Sequence, residues 1–384
     1  MAASQSATKG QPAPGTTATS WPSKVFQFNP AGLNWPRGVV ILDVVLVPLL
    51  VFWAIGHEQY LLSAVVGVVF AAAADPGGGY GYRASHIAVF ALVGAGLTAL
   101  AFGIGGSGWG WLVLAAFAVT LVSGLAVMFG AHRFVAAYLL SVWFIIALGI
   151  AFSLHHHARI TSYTWAQVLA WLGGAALWIA VTFIAWLIRG REDRPEPFTE
   201  MPGDTSRQKL TRPLIMFAVI RAVAIAGTVA IAFGLDLAHG YWMPIAAIVA
   251  IKPSFEQTTL IAAQRVSGAL IGAAAAALLL LIPANEQGLT LLAITHGLEV
   301  VALVLFMHAA GIRFWNYALY YATITAGVLI LLDLLQPSNY GAEGDRVLWT
   351  LCGVAIGVLV MFLAGLLARR KSAAKQPAPA GQAG

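Results

Sequence analysis

Long apolar runs, separated by short polar or Gly/Pro segments, fill most of this 384-residue chain. A helix that crosses a membrane needs about 20 predominantly apolar residues, and most of the runs approach that length. The pattern predicts an all-α fold, a polytopic transmembrane helical bundle of about twelve spans. The predicted spans lie near residues 38–55, 60–74, 84–103, 109–129, 133–152, 165–188, 213–233, 241–252, 262–282, 288–309, 313–333 and 346–367.

The composition excludes an ordinary soluble protein. Hydrophobic residues make up 60% of the chain and charged residues only 9%, whereas soluble domains carry roughly 25% charged residues. The one cysteine, Cys352, excludes a disulfide framework, a cysteine-based zinc site and an iron–sulfur cluster. The net charge of +6 needs no nucleic-acid partner, because basic residues on cytoplasmic loops explain such an excess in a membrane protein.

The distribution of basic residues predicts the orientation. Of the 21 Lys and Arg residues, eighteen fall in segments on one side of the predicted bundle and two on the other. Positive charge collects on the cytoplasmic side, so we expect a multi-pass inner (plasma) membrane protein with both termini cytoplasmic. The chain divides into a disordered tail (1–37), a first six-helix repeat (38–188), a charged linker (189–212), a second six-helix repeat (213–367) and a second disordered tail (368–384).

The two halves repeat one another at a spacing near 180 residues. Arg133-Phe134 recurs as Arg313-Phe314, and Gly174 recurs as Gly353. Six spans per unit is an even number, so both halves enter the membrane from the same side. We therefore expect a 6+6 parallel tandem repeat with a pseudo-two-fold axis along the membrane normal, and a pathway at the interface between the halves.

A spaced series of residues in the second half carries a family resemblance. The series comprises Tyr241-Trp242, Pro244, Pro253-Ser254-Phe255, Thr258, Arg265, Gly268 and Gly272, and later Arg313, Tyr317, Tyr320, Asp345-Arg346 and Gly353. Residues from about 213 to 367 resemble the fusaric acid resistance (FUSC) and aromatic acid exporter family. The chain departs from that pattern in two ways: its linker holds no large soluble domain, and Ala269 stands where the family often has Thr.

The resemblance implies efflux of aromatic or other hydrophobic carboxylates. In some members it also implies a periplasmic adaptor protein as partner. The family is distantly similar to plant aluminium-activated malate transporters, which are anion channels built from two six-span subunits. A passive anion channel is therefore an alternative to an exporter.

No enzyme motif occurs in the sequence. Gly-x-Ser-x-Gly, His-Glu-x-x-His and the Walker phosphate loop are all absent, so we expect no enzyme, no cofactor and no ATP hydrolysis. His155-His156-His157 is interpreted as part of a solvated external loop rather than a metal site, because consecutive residues do not share one helical face. Transport is then driven by a gradient or passive.

Arginines at the cytoplasmic ends of spans are candidates for binding an organic anion. Arg265 and Arg313 either set the topology or form an electropositive vestibule, and both interpretations stay open. Arg133 is the repeat counterpart of Arg313 and joins it as a candidate, although for Arg133 the topological role is favoured. Three aromatic candidates, which belong either to the interfacial belt or to a pocket for an aromatic ring, are Tyr241, Trp242 and Phe255.

Charged residues inside predicted spans are expensive, at about 2.5–3.5 kcal/mol each at a helix centre. Glu299 lies near the middle of the span 288–309, and His296 precedes it by one helical turn. We interpret this pair as a proton-coupling site, with interhelical packing as the alternative. Asp43 and Arg221, each about a turn inside the cytoplasmic face, are expected to form a structural ion pair between the first helices of the halves.

Together these features predict a secondary transporter that exports organic anions, most simply aromatic carboxylates, coupled to the proton gradient. The expected partners are a small organic anion and membrane lipid, and no nucleic acid. The alternatives are the passive anion channel and a non-transporting membrane scaffold; a membrane-embedded enzyme comes last.

Overall fold

The computed structural model describes residues 26–156, 162–191, 209–251, 255–280, 288–333 and 341–373. Within these ranges the chain forms α-helices joined by short turns, and the predicted all-α fold is confirmed there. The helices are α1 (Trp35–Ile55), α2 (Leu61–Ala74), α3 (Tyr80–Ile104), α4 (Trp109–Leu125), α5 (Ala131–His156), α6 (Thr164–Ile188), α7 (Arg212–Gly234), α8 (Trp242–Ala250), α9 (Phe255–Leu280), α10 (Gly288–Ile312), α11 (Tyr317–Asp333) and α12 (Gly341–Ala373).

Nine of the described helices are long and apolar enough to cross a membrane, and α2, α8 and α11 are shorter. A bilayer offers backbone groups no water, so helices that satisfy their own hydrogen bonds are the form such apolar runs adopt. The chain is a multi-pass membrane protein. The nine residues of α8 rise only about 14 Å, roughly half of the ~30 Å hydrocarbon core. The count of twelve spans therefore stays a prediction.

Several predicted boundaries shift. The N-terminal segment from Phe26 is not a free tail: Asn29 N–H donates to the Trp315 carbonyl at 2.8 Å, and Asn34 N–H donates to the Gly311 carbonyl at 2.9 Å. Helix α12 continues past residue 367 to Ala373, into the segment predicted as a disordered tail. Both ends of the membrane region thus carry more ordered chain than their polar composition indicated.

The predicted loop of three histidines is also partly helical. Helix α5 reaches His156, and the His155 ring is hydrogen-bonded to the Ala151 carbonyl at 2.7 Å. His157 lies outside the described residues. The boundary was missed because polar His residues resemble a loop in composition, although His does not break a helix.

Helix packing within the first six helices recurs within the second six. Helix α2 packs on α6, as α8 packs on α12, and α3 packs on both α5 and α6, as α9 packs on α11 and α12. The pairs α4–α5 and α1–α2 likewise have the counterparts α10–α11 and α7–α8.

One close contact recurs almost atom for atom. A side chain at Gly174 on α6 would collide with the backbone carbonyl of Ala64 on α2, and one at Gly353 on α12 would collide with that of Met243 on α8. The partners in each pair are offset by 179 residues. Both glycines let two backbones approach closely, which is the role of small residues in membrane helix packing.

The contacts between the halves are reciprocal. Helix α1 packs on α10, and α7 packs on α4, so the first helix of each half lies against the fourth helix of the other. Small residues permit both approaches: Gly38 faces the Met307 carbonyl, and Gly124 faces Ala218. The halves also share a buried apolar core at whose centre Trp143 and Trp171 stack with ring centroids 5.1 Å apart.

Candidate functional site

Arg221 supplies a buried cation from the middle of α7. Its side chain is 1% exposed, and its guanidinium carbon lies 5.2 Å from the ring centroid of Tyr138 on α5. The two terminal nitrogens donate to the hydroxyl oxygens of Ser123 at 3.3 Å and Ser141 at 3.5 Å, which are long contacts. The Nε atom has no hydrogen-bond partner. The guanidinium is thus held in place by neutral groups, with donor capacity left over.

Arg265 supplies a second buried cation from α9. Its side chain is 3% exposed, and its guanidinium carbon lies 4.1 Å from the ring centroid of Tyr321 on α11. The close fit follows from Gly268 and Gly272, which bring the backbones of α9 and α11 together. Arg265 Nε is also buried without a hydrogen-bond partner.

Arg313 supplies a third cation from the turn between α10 and α11. Its guanidinium carbon lies 5.2 Å from the Phe314 ring centroid and 5.9 Å from that of Tyr320. The buried side chain of Asn316 fixes this turn, since its Oδ1 accepts from Leu319 N–H at 2.9 Å. Arg313 therefore lies in a turn that is held in place by the N-cap of α11.

Electrostatic interactions link the three arginines. Their charges all act on the Tyr138 hydroxyl, and Tyr317 interacts with both Arg265 and Tyr138. None of the three forms a salt bridge with a carboxylate whose side chain the structure describes. We call this group the cationic tyrosine cluster; its members are Arg221, Arg265, Arg313, Tyr138, Tyr317, Tyr320 and Tyr321.

The cluster has the chemistry of a site for an aromatic acid. A guanidinium presents N–H donors that match a carboxylate in planar geometry. The tyrosine rings offer apolar faces and edges for a second ring. A buried cation without a counter-ion is costly, so a site of this kind gains most from an anionic ligand.

Comparison with known proteins bears on the half that supplies most of the cluster. Residues 223–360 match the family model described as fusaric acid resistance protein-like. This match over part of the chain supports the resemblance of the second half to the FUSC family. The match includes Arg265, Arg313 and the three α11 tyrosines, while Arg221 and Tyr138 lie before it. No curated protein and no solved structure matches the chain.

The structure brings together some of the predicted substrate residues and separates others. Arg265 and Arg313 both lie in the cluster. Arg133 is exposed, and its guanidinium lies 5.9 Å from the Phe129 ring centroid, outside the cluster. Tyr241 packs against Gly149 of α5, which is eleven residues, or about 16 Å, along that helix from Tyr138. Trp242 is buried at the start of α8.

Phe255 is the first residue of α9, and its side chain lies outside the described part of the structure.

The structure does not bring Asp43 and Arg221 together as an ion pair. Arg221 faces α4 and α5, where Ser123, Ser141 and Tyr138 surround it. Asp43 is exposed on α1, and α1 packs chiefly on α10. Equivalent positions in a tandem repeat lie on opposite sides of the axis, so repeat equivalence does not imply contact. Arg221 is instead a member of the cluster.

In the first half, the charge of Arg83 near the start of α3 is neutralised by Asp75. Arg83 holds Asp75 with two hydrogen bonds of 2.8 and 2.5 Å, and Gly77 N–H donates to the same carboxylate at 3.0 Å. Trp178 Nε1 adds a fourth at 3.3 Å. Gly77 has a φ of 71°, a backbone conformation that suits glycine. Arg83 is therefore unavailable as a second anion site.

Glu299 lies apart from the cluster, at the contact between α10 and α1. Its side chain is 8% exposed, and Oε2 has no hydrogen-bond partner. Three groups interact with it: His296, Glu58 and the indole of Trp53. We call these four residues the carboxylate site. Arg313 follows the end of α10, about 20 Å along the helix axis from Glu299.

Sequence reasoning missed Tyr138, Tyr321 and Trp53. Tyrosines and tryptophans near span ends are mostly interfacial anchors, and nothing in the local pattern distinguished these three. Arg221 was recognisable as a charge within an apolar run, but an ion pair with Asp43 was predicted for it. In the part of the chain that the structure describes, no group of three or more His, Cys, Asp or Glu side chains could hold a metal ion.

Proposed function

We propose that the protein is an inner-membrane exporter of small aromatic carboxylates and binds them at the cationic tyrosine cluster. The observation that carries this proposal is the burial of Arg221 and Arg265 beside tyrosine rings with no described carboxylate partner. A benzoate-like anion supplies both missing elements, a carboxylate for the guanidinium groups and a ring for the tyrosines. The match to a family described as fusaric acid resistance protein-like is consistent with that class of cargo.

The proposed architecture is a 6+6 repeat with a pseudo-two-fold axis along the membrane normal. The recurrence of helix pairs, the reciprocal α1–α10 and α4–α7 contacts and the 179-residue offset of the glycine contacts support it. In such transporters the binding site lies between the repeats. The cluster fits that place, because α5 of the first half and α7, α9 and α11 of the second half all contribute to it.

The charge distribution supports export as the direction. The excess of basic residues on one side of the bundle supports a cytoplasmic location for both termini. In that orientation Arg313, in the turn before α11, lies at the cytoplasmic end of that helix. Its charge raises the local concentration of an anion that arrives from the cytoplasm.

Glu299 and His296 are the proposed proton-coupling residues. A carboxylate that can take up and release a proton between the two halves is the kind of group on which proton-driven transporters depend. Burial of Glu299 at the α1–α10 contact supports the assignment. A periplasmic adaptor is a further proposed partner, on the strength of the family resemblance alone.

A passive anion channel is the second candidate, and the position of Glu299 favours it. A carboxylate in the anion pathway would repel the cargo by about 4 kcal/mol at 4 Å for an effective dielectric of 20. Because Glu299 lies outside the cluster, it imposes no such penalty. A non-transporting scaffold explains neither of the two buried arginines.

The test is transport in proteoliposomes that contain the purified protein. Radiolabelled benzoate and its neutral analogue benzamide are compared, with and without a pH gradient. We expect benzoate to accumulate against its gradient only when the pH gradient is present, and Glu299→Gln to abolish that accumulation. Benzoate flux that ignores the pH gradient would instead establish the channel. Absence of any benzoate flux and binding would refute both.

A further inference from the structure

Two buried polar atoms lie on either side of the contact between α1 and α10. Glu299 Oε2 on α10 and Trp53 Nε1 on α1 are both buried, and neither has a partner within hydrogen-bond geometry. The two side chains nevertheless interact as hydrogen-bond donor and acceptor. An indole N–H can only donate, and an ionised carboxylate can only accept. The two orphaned atoms are therefore complementary.

The described side chains on the other side of α10 are apolar. Leu298 and Ala302 of α10 pack there against Ala326, Leu329 and Ile330 of α11. The charged and titratable groups that face Glu299 are His296, on its own helix, and Glu58, which is exposed beyond the end of α1. The edge of the His296 ring lies against Trp53 with centroids 4.8 Å apart.

Protonation changes what the carboxylate can accept. An ionised Glu299 is stabilised by a hydrogen bond from the indole N–H, since such bonds are strongest when the acceptor is charged. A protonated Glu299 is neutral and gains much less from the same donor. We propose that Trp53 is the positioning residue of the carboxylate site. Its indole N–H donates a hydrogen bond to the ionised Glu299, and this bond breaks when Glu299 is protonated.

This inference rests on the proposed function, because it describes how protonation of Glu299 in the carboxylate site changes the contact between the two halves. Trp53 belongs to the first helix of the first half and Glu299 to the fourth helix of the second. A hydrogen bond that forms and breaks with protonation therefore tightens or loosens one of the reciprocal contacts between the halves. The second such contact, α4–α7, holds Arg221 beside Ser123 in place of a carboxylate.

The test measures protonation of Glu299 directly, without transport. Dicyclohexylcarbodiimide reacts with protonated carboxylic acids in apolar surroundings, and mass spectrometry of peptides identifies the modified residue. The full-length protein in liposomes is labelled over a range of pH. Trp53→Phe keeps the ring beside His296 and removes only the N–H.

Loss of the donor destabilises the ionised form, so labelling of Glu299 in Trp53→Phe should persist to higher pH than in the wild type. The expected displacement is about one to two pH units, the equivalent of a hydrogen bond to a charged group. Trp186→Phe is the matched control, because Trp186 Nε1 on α6 is also buried without a partner but lies against Tyr80 and Phe183. It should leave the profile unchanged.

Trp53→Tyr, which restores a donor, is the second variant and should move the profile back toward the wild type. Equal profiles for Trp53→Phe and Trp186→Phe would overturn the inference, as would a Glu299 that is never labelled. Benzoate transport is measured on the same liposomes. A displaced profile in liposomes that move no benzoate would overturn the proposed function alone, and active transport with an undisplaced profile would overturn this inference alone.

Discussion

Replacing Arg265 by Met should change stability and ligand binding in opposite directions. The guanidinium is 3% exposed and lies 4.1 Å from the Tyr321 ring. The cation–π contact is worth about 2 kcal/mol when desolvated, whereas removing a guanidinium from water costs several kcal/mol. Methionine has a similar length and no charge. The ligand-free variant should therefore melt at the same temperature as the wild type or higher.

Benzoate binding should fall in the same variant. A charge-assisted hydrogen bond contributes about 1.5–3 kcal/mol, which corresponds to an affinity about 10- to 150-fold weaker. Isothermal titration in nanodiscs at neutral pH measures the dissociation constant, and a thermal melt of the same preparation gives stability. Benzamide, which is uncharged, should lose much less affinity than benzoate.

Arg133→Met is the matched control for this prediction. Arg133 is exposed and lies outside the cluster, although the sequence repeat makes it the counterpart of Arg313. Its replacement should change benzoate affinity less than twofold or so. The reasoning is refuted if Arg265→Met lowers the melting temperature and leaves benzoate affinity intact, because Arg265 would then be a packing residue.

Three further predictions concern architecture. Gly353→Ala should destabilise the protein by about 1–3 kcal/mol, because its Cβ would collide with a carbonyl of α8, while Gly173→Ala, where space is open, should have no such effect in a thermal melt. Asp75→Asn should cost about 1.5–3 kcal/mol by weakening the hydrogen bonds of Arg83, whose side chain is 19% exposed, and a second change, Arg83→Met, should recover much of the loss. A cysteine at Ser206 should resist an impermeant maleimide added to intact cells and one at Glu286 should react; labelling of position 206 would contradict the orientation.

The helices were predictable because lipid leaves an apolar run few alternatives. Each of the twelve described α-helices falls on a predicted span, and even the short α8 was expected near 241–252. Helix ends were less accurate. His155 and the residues after 367 are polar enough to resemble loop, yet they continue helices whose backbone hydrogen bonds they extend. Composition indicates which segments can lie in lipid, but it does not indicate the residue at which a helix ends.

The site was only partly predictable, because it depends on which helices meet. Arg265 and Arg313 were found from their charge and from the family pattern. Tyr138 joins them from the other half of the chain, and a local sequence pattern cannot predict an interaction between residues so far apart in sequence. Arg221 shows the same limit from the opposite direction: its charge was noticed, but its neighbours are uncharged serines and a tyrosine rather than an acid.

The reciprocal packing of the halves has a consequence for how the protein is made. Helix α10 begins 233 residues after α1 ends, and α1 packs more extensively on α10 than on its own neighbour α2. At about 5–20 residues per second, the ribosome needs roughly 12 to 47 s to deliver that partner. During this interval the Gly38 face of α1 has only lipid or the insertion machinery against it. Assembly of the first half is therefore completed by the arrival of the second.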